Sequence, residues 1–398
     1  MRRVGWLCVA VIVVVVVAAA GWMLVRDRDA DVRPAARFLT DTSGSGPGSL
    51  IAADELSAAA TRVDGRPMRG ARVTYRSSDA DGTPTVVTGA VFVPVGVPPA
   101  QGWPVVGFGH PTTGIDEQCA PSRSDSLRGM MRFVGGLVDR GYAVAVTDYA
   151  GLGPAGVHRY TDHRTAGYNV IDSVRALRHT FTEVSDRWAA VGASQGGAAA
   201  WSADERARDY APELNLVGAV AIVPAADMSG LVDKATARTL SPQQHYPLAS
   251  IVEALARLHP DLNRDDYRRG AAATYWSVFT ACRGDVEAQR PQAEAAVAPG
   301  DLAPATPAAA ARLRGYLQAW AVPQKPLTAP LFVVYAGRDA SIDAQWTRDA
   351  IARACTTGGD VQWQLQPEAD HNTVGYDAGL AWLADRFAGR PAGDDCPR

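Results

Sequence analysis

Apolar residues along the chain fall into short runs that alternate with longer amphipathic stretches. Residues 71–76 and 85–93 are rich in β-branched side chains and are separated by Asp, Gly and Pro, which predicts a hairpin. Residues 103–108 and 142–147 are short apolar runs bounded by Gly or Pro, as in strands buried on both faces of a parallel sheet. Further strands are predicted at 188–192, 217–223, 330–335 and 361–365.

Amphipathic stretches separate these strands and predict helices at 127–140, 164–181, 196–208, 345–354 and 376–387. In the second stretch, one helical face carries Val170, Ile171, Val174, Leu177 and Phe181. Repeated alternation of strand and helix predicts an α/β fold, in which a mostly parallel central sheet has helices on both faces.

The alternation stops over residues 225–325, which are rich in Ala and mainly helical in pattern. Ile251, Leu255 and Leu258 are spaced for one helical face there. We therefore predict one α/β domain, formed by residues 49–224 and 326–398, with a helical lid or cap inserted at 225–325.

The N-terminal region differs from the rest of the chain. Residues 4–25 carry no charge and follow Arg2 and Arg3, so residues 1–25 are interpreted as a cleaved signal peptide or an uncleaved transmembrane anchor. We favour the anchor, which would place the rest of the chain on the outer face of the membrane. Residues 26–48 are charged and then rich in Gly and Ser, which predicts a flexible linker.

Composition excludes several classes of protein. Apolar residues make up 47% and charged residues 20% of the chain, as in ordinary globular proteins. This composition argues against a disordered or fibrous protein. The net charge is -3 and no basic run follows the first three residues, so no nucleic-acid partner is expected.

Four cysteines lie in the exported part of the chain: Cys119, Cys282, Cys355 and Cys396. An oxidising location favours two disulfides, for which the sequence alone allows three pairings. No two cysteines have the spacing of a zinc or redox motif, so we expect no metal site.

The strongest chemical signal is a G-x-S-x-G pattern over residues 192–196, between a predicted strand and a predicted helix. A turn of this kind projects the serine hydroxyl above the sheet, and it points the helix N-terminus at the group that the hydroxyl attacks. The pattern predicts that Ser194 is a nucleophile. The alternative is a tight turn with an incidental serine.

A nucleophilic serine needs a base, which in turn needs an acid to orient it. His371 follows the strand predicted at 361–365 and is our candidate base; His110 is its main competitor. Asp339 follows the strand predicted at 330–335 and is the candidate acid, with Asp343 as the alternative. Serine, acid and histidine then occur in the order typical of α/β hydrolases.

Hydrolysis would produce an oxyanion, which requires two donors. The amide of Gln195 is the first candidate, and Thr112 or Thr113 would supply the second, because Pro111 has no amide hydrogen. His110, Asp148 and Tyr149 end two strands at the same sheet edge and are predicted to line the pocket; the alternative for Asp148 and Tyr149 is an ordinary glycine-rich turn.

Several segments together resemble the secretory lipase family of α/β hydrolases: 109–114 (GHPTTG), 119–122 (CAPS), 147–153 (TDYAGLG), 192–197 (GASQGG) and 210–214 (YAPEL). The resemblance implies an esterase or lipase with an inserted lid, a triad of Ser194, Asp339 and His371, and disulfides that join Cys119 to Cys282 and Cys355 to Cys396. Pro111 departs from the glycine expected in the family's loop.

The sequence therefore predicts a serine carboxylester hydrolase that cleaves acylglycerols or other carboxylic esters through an acyl-enzyme, without a cofactor or metal. It would be secreted, or attached to the outer membrane face through the N-terminal segment if that segment is uncleaved. Two alternatives are an acyltransferase that uses the same triad and a non-catalytic anchored binding protein with the same fold.

Overall fold

The structure, a computed structural model, describes residues 37–57, 61–286 and 288–397. The predicted signal peptide or anchor lies outside these residues. Within the described ranges, no helix combines the length and the apolar character needed to cross a membrane.

A ten-stranded sheet runs through the centre of the described chain. Its strands are β1 (Leu50–Glu55), β2 (Arg62–Val63), β3 (Arg66–Ser78), β4 (Pro84–Pro94), β5 (Trp103–Gly109), β6 (Ala143–Thr147), β7 (Val184–Ala193), β8 (Asn215–Ile222), β9 (Leu331–Ala336) and β10 (Val361–Gln366). Their order is β1-β3-β4-β6-β5-β7-β8-β9-β10, with β2 paired to β3. The six strands β6, β5, β7, β8, β9 and β10 are parallel to their neighbours in that order. Strands β1, β3 and β4 form an antiparallel edge.

The helices of the described chain are α1 (Met131–Val138), α2 (His163–Thr180), α3 (Gln195–Tyr210), α4 (Gly230–Ala237), α5 (Pro242–Leu258), α6 (Gly270–Thr274), α7 (Trp276–Thr280), α8 (Arg290–Ala296), α9 (Pro307–Trp320), α10 (Ala344–Thr356) and α11 (Asp377–Phe387). The helix predicted at 127–140 is shorter than expected. Leu127 and Arg128 have φ of 50° and 54°, values that an α-helix excludes, so a separate short turn precedes α1.

Helices cover both faces of the sheet. The adjacent residues Val105 and Val106 of β5 are both fully buried, but they belong to different apolar clusters. Val105 packs in the cluster that contains α2, α3 and α10, and Val106 packs in the cluster that contains α1 and α11. The apolar face predicted for α2 is confirmed, since all five of its residues are buried. This two-sided arrangement is the α/β-hydrolase fold.

Helices α4–α9 lie between β8 and β9 and have an apolar cluster of their own. Leu231 of α4, Ile251 and Leu255 of α5, Phe279 of α7 and Leu313 of α9 are buried in this cluster. The helices that interrupt the alternation therefore pack chiefly on one another, beside the sheet.

The described part of the predicted linker, residues 37–48, is attached to the domain. Phe38 forms a bridge with Phe181, and the amide of Leu39 donates to the carbonyl of Thr180 at 2.6 Å. Gly48 packs against the side chain of Arg175. Backbone pairing with the end of α2 therefore holds a segment that has little apolar surface of its own.

Candidate active site

Ser194 lies at a sharp turn between β7 and α3, and its backbone has φ 58° and ψ −120°. Residues other than glycine rarely adopt this backbone conformation, so contacts with the surrounding structure must stabilise it. The amide of Ser194 donates to the carbonyl of Ile222 at 2.9 Å, and its carbonyl accepts from the amide of Ala225 at 3.0 Å. A Cβ on Gly192 would overlap the carbonyl of Gly196, so the turn requires glycine there.

The structure brings His371 to this serine. Nε2 of His371 lies 3.1 Å from Oγ of Ser194, and Nδ1 lies 2.7 Å from Oδ2 of Asp339. Because a carboxylate only accepts hydrogen bonds, Nδ1 carries the proton and the lone pair of Nε2 faces the serine hydroxyl. A neutral imidazole in this tautomer can accept the hydroxyl proton.

Asp339 is held from its other side as well. Its Oδ1 accepts hydrogen bonds from the amides of Ser341 and Ile342, both at 2.8 Å, and its side chain is 3% exposed. The alternative acid, Asp343, instead pairs with Nζ of Lys234 at 3.0 Å. The geometry therefore joins Asp339, and not Asp343, to His371.

The loop that carries His371 is shaped by Asp370, which the sequence analysis missed. Oδ1 of Asp370 accepts from the amides of Asn372 at 2.8 Å and Thr373 at 3.0 Å. These hydrogen bonds hold the pKa of Asp370 below its usual value. In turns, an aspartate side chain commonly accepts a hydrogen bond from the backbone amide two residues later. The sequence therefore did contain the signal.

Gln195 is the first residue of α3, so its amide has no acceptor within the helix. Thr112 lines the same cleft as Ser194, and its hydroxyl lies 2.9 Å from that of Tyr160. Thr113 does not line this cleft. It is buried, and its carbonyl accepts the amide of Arg283 at 2.8 Å. Of the two threonines, Thr112 is the one that faces the cleft.

His110, Asp148 and Tyr149, which the sequence predicts to line the pocket, are not among the residues that line the cleft at Ser194. All three are almost fully buried, at 0–1% exposure. Burial raises the pKa of Asp148 and lowers that of His110. The Asp148 carboxylate accepts from the hydroxyls of Ser122 and Thr88, so it is a buried structural group.

The cleft at Ser194 has a volume of about 1170 Å³. Near the serine its wall is mostly apolar and comes from the sheet side, with Phe108, Met130, Phe133, Ile222 and Val223 among its residues. Helices α5 and α8 and the segment before α8 form the opposite wall, through Gln243, Tyr246, Pro247, Arg283, Arg290 and Glu294. Apolar walls around a serine and a histidine can accept the acyl or alcohol part of an ester.

Two disulfides join distant parts of the described chain, Cys119 to Cys282 and Cys355 to Cys396. These are the pairs that the family resemblance implied. The first joins the segment after the Thr112 loop to the residue before Arg283, and so connects the two walls of the cleft. The second attaches the C-terminal segment to the end of α10.

The chain is similar in sequence to known lipases. Residues 125–286 match the family model described as secretory lipase. A Mycobacterium tuberculosis protein, whose name describes it as a probable inactive lipase, is 26% identical over 373 residues, which cover 87% of this chain and 80% of that protein. Lipase 6 of Candida albicans is 25% identical over 366 residues, 82% of this chain and 74% of the lipase.

Among solved structures, Candida antarctica lipase A in its closed state has a TM-score of 0.68 at 17% identity and covers 88% of this chain and 84% of its own. The rice cell wall degrading esterase LipA from Xanthomonas oryzae has a TM-score of 0.64 at 18% identity, over 86% of this chain and 97% of its own. At these identities the two structures show the shared fold alone. The chain has the α/β-hydrolase fold and is similar to secretory lipases through residues 125–286 and to named lipases over most of its length, and this similarity supports an ester hydrolase function.

Proposed function

We propose that the protein is a serine carboxylester hydrolase in which Ser194, His371 and Asp339 form the catalytic triad. The observation that carries the proposal is the continuous hydrogen-bonded connection from Oγ of Ser194 to Nε2 of His371 at 3.1 Å and from Nδ1 to Asp339 at 2.7 Å. The strained backbone of Ser194 supports it, because the turn keeps the hydroxyl at the edge of the sheet.

In the first half of the reaction, Oγ of Ser194 attacks the ester carbonyl while Nε2 of His371 takes the hydroxyl proton. The carbonyl oxygen becomes an oxyanion, which the amide of Gln195 and a donor on Thr112 stabilise. Collapse of this intermediate breaks the bond to the alcohol, and His371 returns the proton to the departing oxygen. An acyl group then remains on Ser194.

In the second half, a water molecule attacks the acyl carbonyl and gives a proton to His371. A second oxyanion forms at the same donors and collapses to the carboxylic acid, while His371 returns the proton to Oγ of Ser194. Asp339 keeps the proton on Nδ1 of His371 throughout and stabilises the imidazolium that forms in each half. Each cycle consumes one ester and one water and yields one acid and one alcohol.

Activity needs a direct test because one relative bears a name that describes it as inactive. We expect the purified protein to hydrolyse p-nitrophenyl esters and Ser194→Ala to lose that activity by several powers of ten, on the order of 10⁴- to 10⁶-fold. A panel from acetate to long-chain triacylglycerol would identify the acyl length that the cleft prefers. Equal rates for parent and Ser194→Ala would overturn the proposal.

The same acyl-enzyme could pass its acyl group to another hydroxyl, so the products must be identified. We expect free acid to exceed transfer product when an acceptor alcohol is present at millimolar concentration. An excess of transfer product would replace the hydrolase with an acyltransferase. Absence of turnover with both water and alcohol would favour a non-catalytic binding protein.

We also propose that the protein acts outside the cytoplasm, which its two disulfides and its similarity to secretory lipases support. Attachment through residues 1–25 is a separate proposal. If these residues are an anchor, the mature protein will retain them and will stay with the membrane after an alkaline carbonate wash. Release into the supernatant with a shortened N-terminus would identify a cleaved signal peptide.

A further inference from the structure

The loop between β6 and α2 packs behind both segments that carry the candidate oxyanion donors. Tyr149 lies near the start of this loop and His158 near its end, and both are buried. Tyr149 contacts the segment that contains Thr112, whereas His158 contacts Gln195. Neither residue lines the cleft, so neither can touch a substrate directly.

His158 has one hydrogen-bond partner on each ring nitrogen. Nδ1 lies 3.0 Å from the carbonyl of Ala150, and Nε2 lies 3.0 Å from Nε2 of the Gln195 side chain. Because a carbonyl can only accept, Nδ1 carries the proton and Nε2 is the acceptor for the Gln195 amide group. Burial lowers the pKa of His158 to about 4, so the ring stays neutral and keeps this acceptor at neutral pH.

Gln195 has little freedom to find another partner. It is 2% exposed, and its other side-chain atom, Oε1, is buried without a hydrogen-bond partner among the described residues. The hydrogen bond to His158 therefore fixes the side chain of the residue whose backbone amide is the proposed oxyanion donor. A side chain fixed at the first position of α3 restricts rotation of that amide.

Tyr149 holds the other donor segment. Its hydroxyl donates to the carbonyl of His110 at 3.1 Å, two residues before Thr112. Its ring packs against the ring of His110, with centroids 4.3 Å apart, and is stacked on the ring of His158 at 5.9 Å. Tyr149 has a φ of 68°, which is uncommon for a tyrosine, so its backbone is held in a strained conformation beneath the two donor segments.

We propose that His158 and Tyr149 are positioning residues for oxyanion stabilisation, with His158 holding Gln195 and Tyr149 holding the Thr112 segment. This inference rests on the proposed function. Both tetrahedral intermediates pass through the same two donors, so a displaced donor lowers kcat in whichever half-reaction limits the rate. Substrate binding in the ground state makes little use of these donors, so KM should change little.

Three substitutions test the His158 and Tyr149 contacts separately. His158→Phe keeps a buried ring next to Tyr149 but removes the acceptor for Gln195, while His158→Gln supplies a side-chain oxygen that can accept from Gln195. Tyr149→Phe removes only the hydroxyl. Tyr267→Phe is the matched control, because Tyr267 is also buried, donates to one backbone carbonyl at 3.0 Å and does not line the cleft.

We expect His158→Phe to lower kcat for p-nitrophenyl butyrate by about 10- to 100-fold, a smaller decrease than the removal of a whole oxyanion donor causes. Tyr149→Phe should lower kcat by roughly 3- to 10-fold. KM should stay within about twofold. His158→Gln should recover most of the lost kcat, and Tyr267→Phe should keep the parent kcat.

A trifluoromethyl ketone gives a readout that packing alone would not move, because its adduct with Ser194 carries an oxyanion. Its inhibition constant should rise in His158→Phe by the same factor by which kcat/KM falls. Parent-like kcat and inhibition constants in both His158→Phe and Tyr149→Phe would overturn the positioning roles and leave the proposed function intact. A parent protein that hydrolyses no ester would overturn both.

Discussion

His371 and Asp339 form the shortest contact of the proposed triad, with Nδ1 of the ring donating to Oδ2 of the carboxylate at 2.7 Å. The same carboxylate accepts two backbone amides through Oδ1, so three donors fix its position. At 3% exposure it is also shielded from water. The proposed acid is therefore rigidly held before any substrate binds.

Asp339→Asn tests the orienting role of this carboxylate. An asparagine amide can donate to Nδ1 and so favours the wrong tautomer of His371, with the proton on Nε2. We expect kcat to fall on the order of 10⁴-fold, with KM for p-nitrophenyl butyrate nearly unchanged. Asp343→Asn is the control, since Asp343 pairs with Lys234 in the structure and should keep the parent kcat. The reverse pattern would assign the acid to Asp343.

Gly196→Ala tests whether the turn at Ser194 depends on the close approach of α3 to β5. A Cβ at this position would overlap the carbonyl oxygen of Gly109, a backbone atom that cannot move aside cheaply. We expect loss of esterase activity together with a lower unfolding temperature. Gly315→Ala is the matched control, because no atom of the described residues lies within 4 Å of a Cβ there. It should keep full activity and unfold at the parent temperature or above it.

The turn at Ser194 could be predicted from the sequence, whereas the helix break at Leu127 and Arg128 could not. Residues 192–196 were readable because the turn depends on neighbouring glycines, and Asp339 and His371 were readable because each follows a strand that ends at the same sheet edge. Nothing local distinguishes Leu127 and Arg128, whose positive φ ended the predicted helix early. The side chain of Arg128 donates to the carbonyls of Gln118 and Arg283, so contacts outside the local sequence support that conformation.

The residues behind the cleft were harder to predict for a related reason. Whether Tyr149 lines a pocket or lies beneath it depends on how the Thr112 loop folds over the sheet edge, which is a long-range relationship. His158 is one of seven histidines in the chain, and its contact with Gln195 joins residues 37 positions apart. The contacts of residues 37–48 with the end of α2 could not be predicted, because backbone pairing leaves no hydrophobic pattern in the sequence.

The Cys119–Cys282 disulfide joins the two walls of the cleft, so we expect its removal to affect both stability and substrate binding. Replacing both cysteines by serine should lower the free energy of unfolding by about 2–5 kcal/mol and should also raise KM for p-nitrophenyl butyrate, because Arg283 follows Cys282 in one wall of the cleft. Calorimetry and steady-state kinetics would measure the two effects. The Cys355→Ser/Cys396→Ser variant should lose stability without a change in KM. Equal KM values for both variants would contradict a link specific to the cleft.

Because His163 is buried in its neutral form, we expect the folded protein to lose stability in mild acid. Its Nε2 donates to the carbonyl of Ala225 at 2.7 Å, and burial lowers its pKa from 6.5 to about 4. Between these values the unfolded chain binds a proton that the folded chain does not, so the free energy of unfolding falls as pH falls through this window. Arg206 also favours the neutral ring, whereas Asp227 opposes it.

His163→Gln keeps a donor for Ala225 but cannot titrate. Relative to its own value at neutral pH, the variant should lose roughly 2 kcal/mol less than the parent at about pH 5, as measured by urea unfolding. The comparison isolates this one residue, because the other titrating groups are the same in both proteins. Identical pH dependence in parent and variant would show that His163 does not contribute.

The most direct test of the central claim is the covalent chemistry of Ser194. Intact mass spectrometry after incubation with a fluorophosphonate should show one added phosphonyl group per chain, located by fragmentation on Ser194, with parallel loss of ester hydrolysis. Ser194→Ala should show no adduct, and Asp339→Asn should form it much more slowly than the parent. An unlabelled parent, or an adduct that persists in Ser194→Ala, would contradict the account.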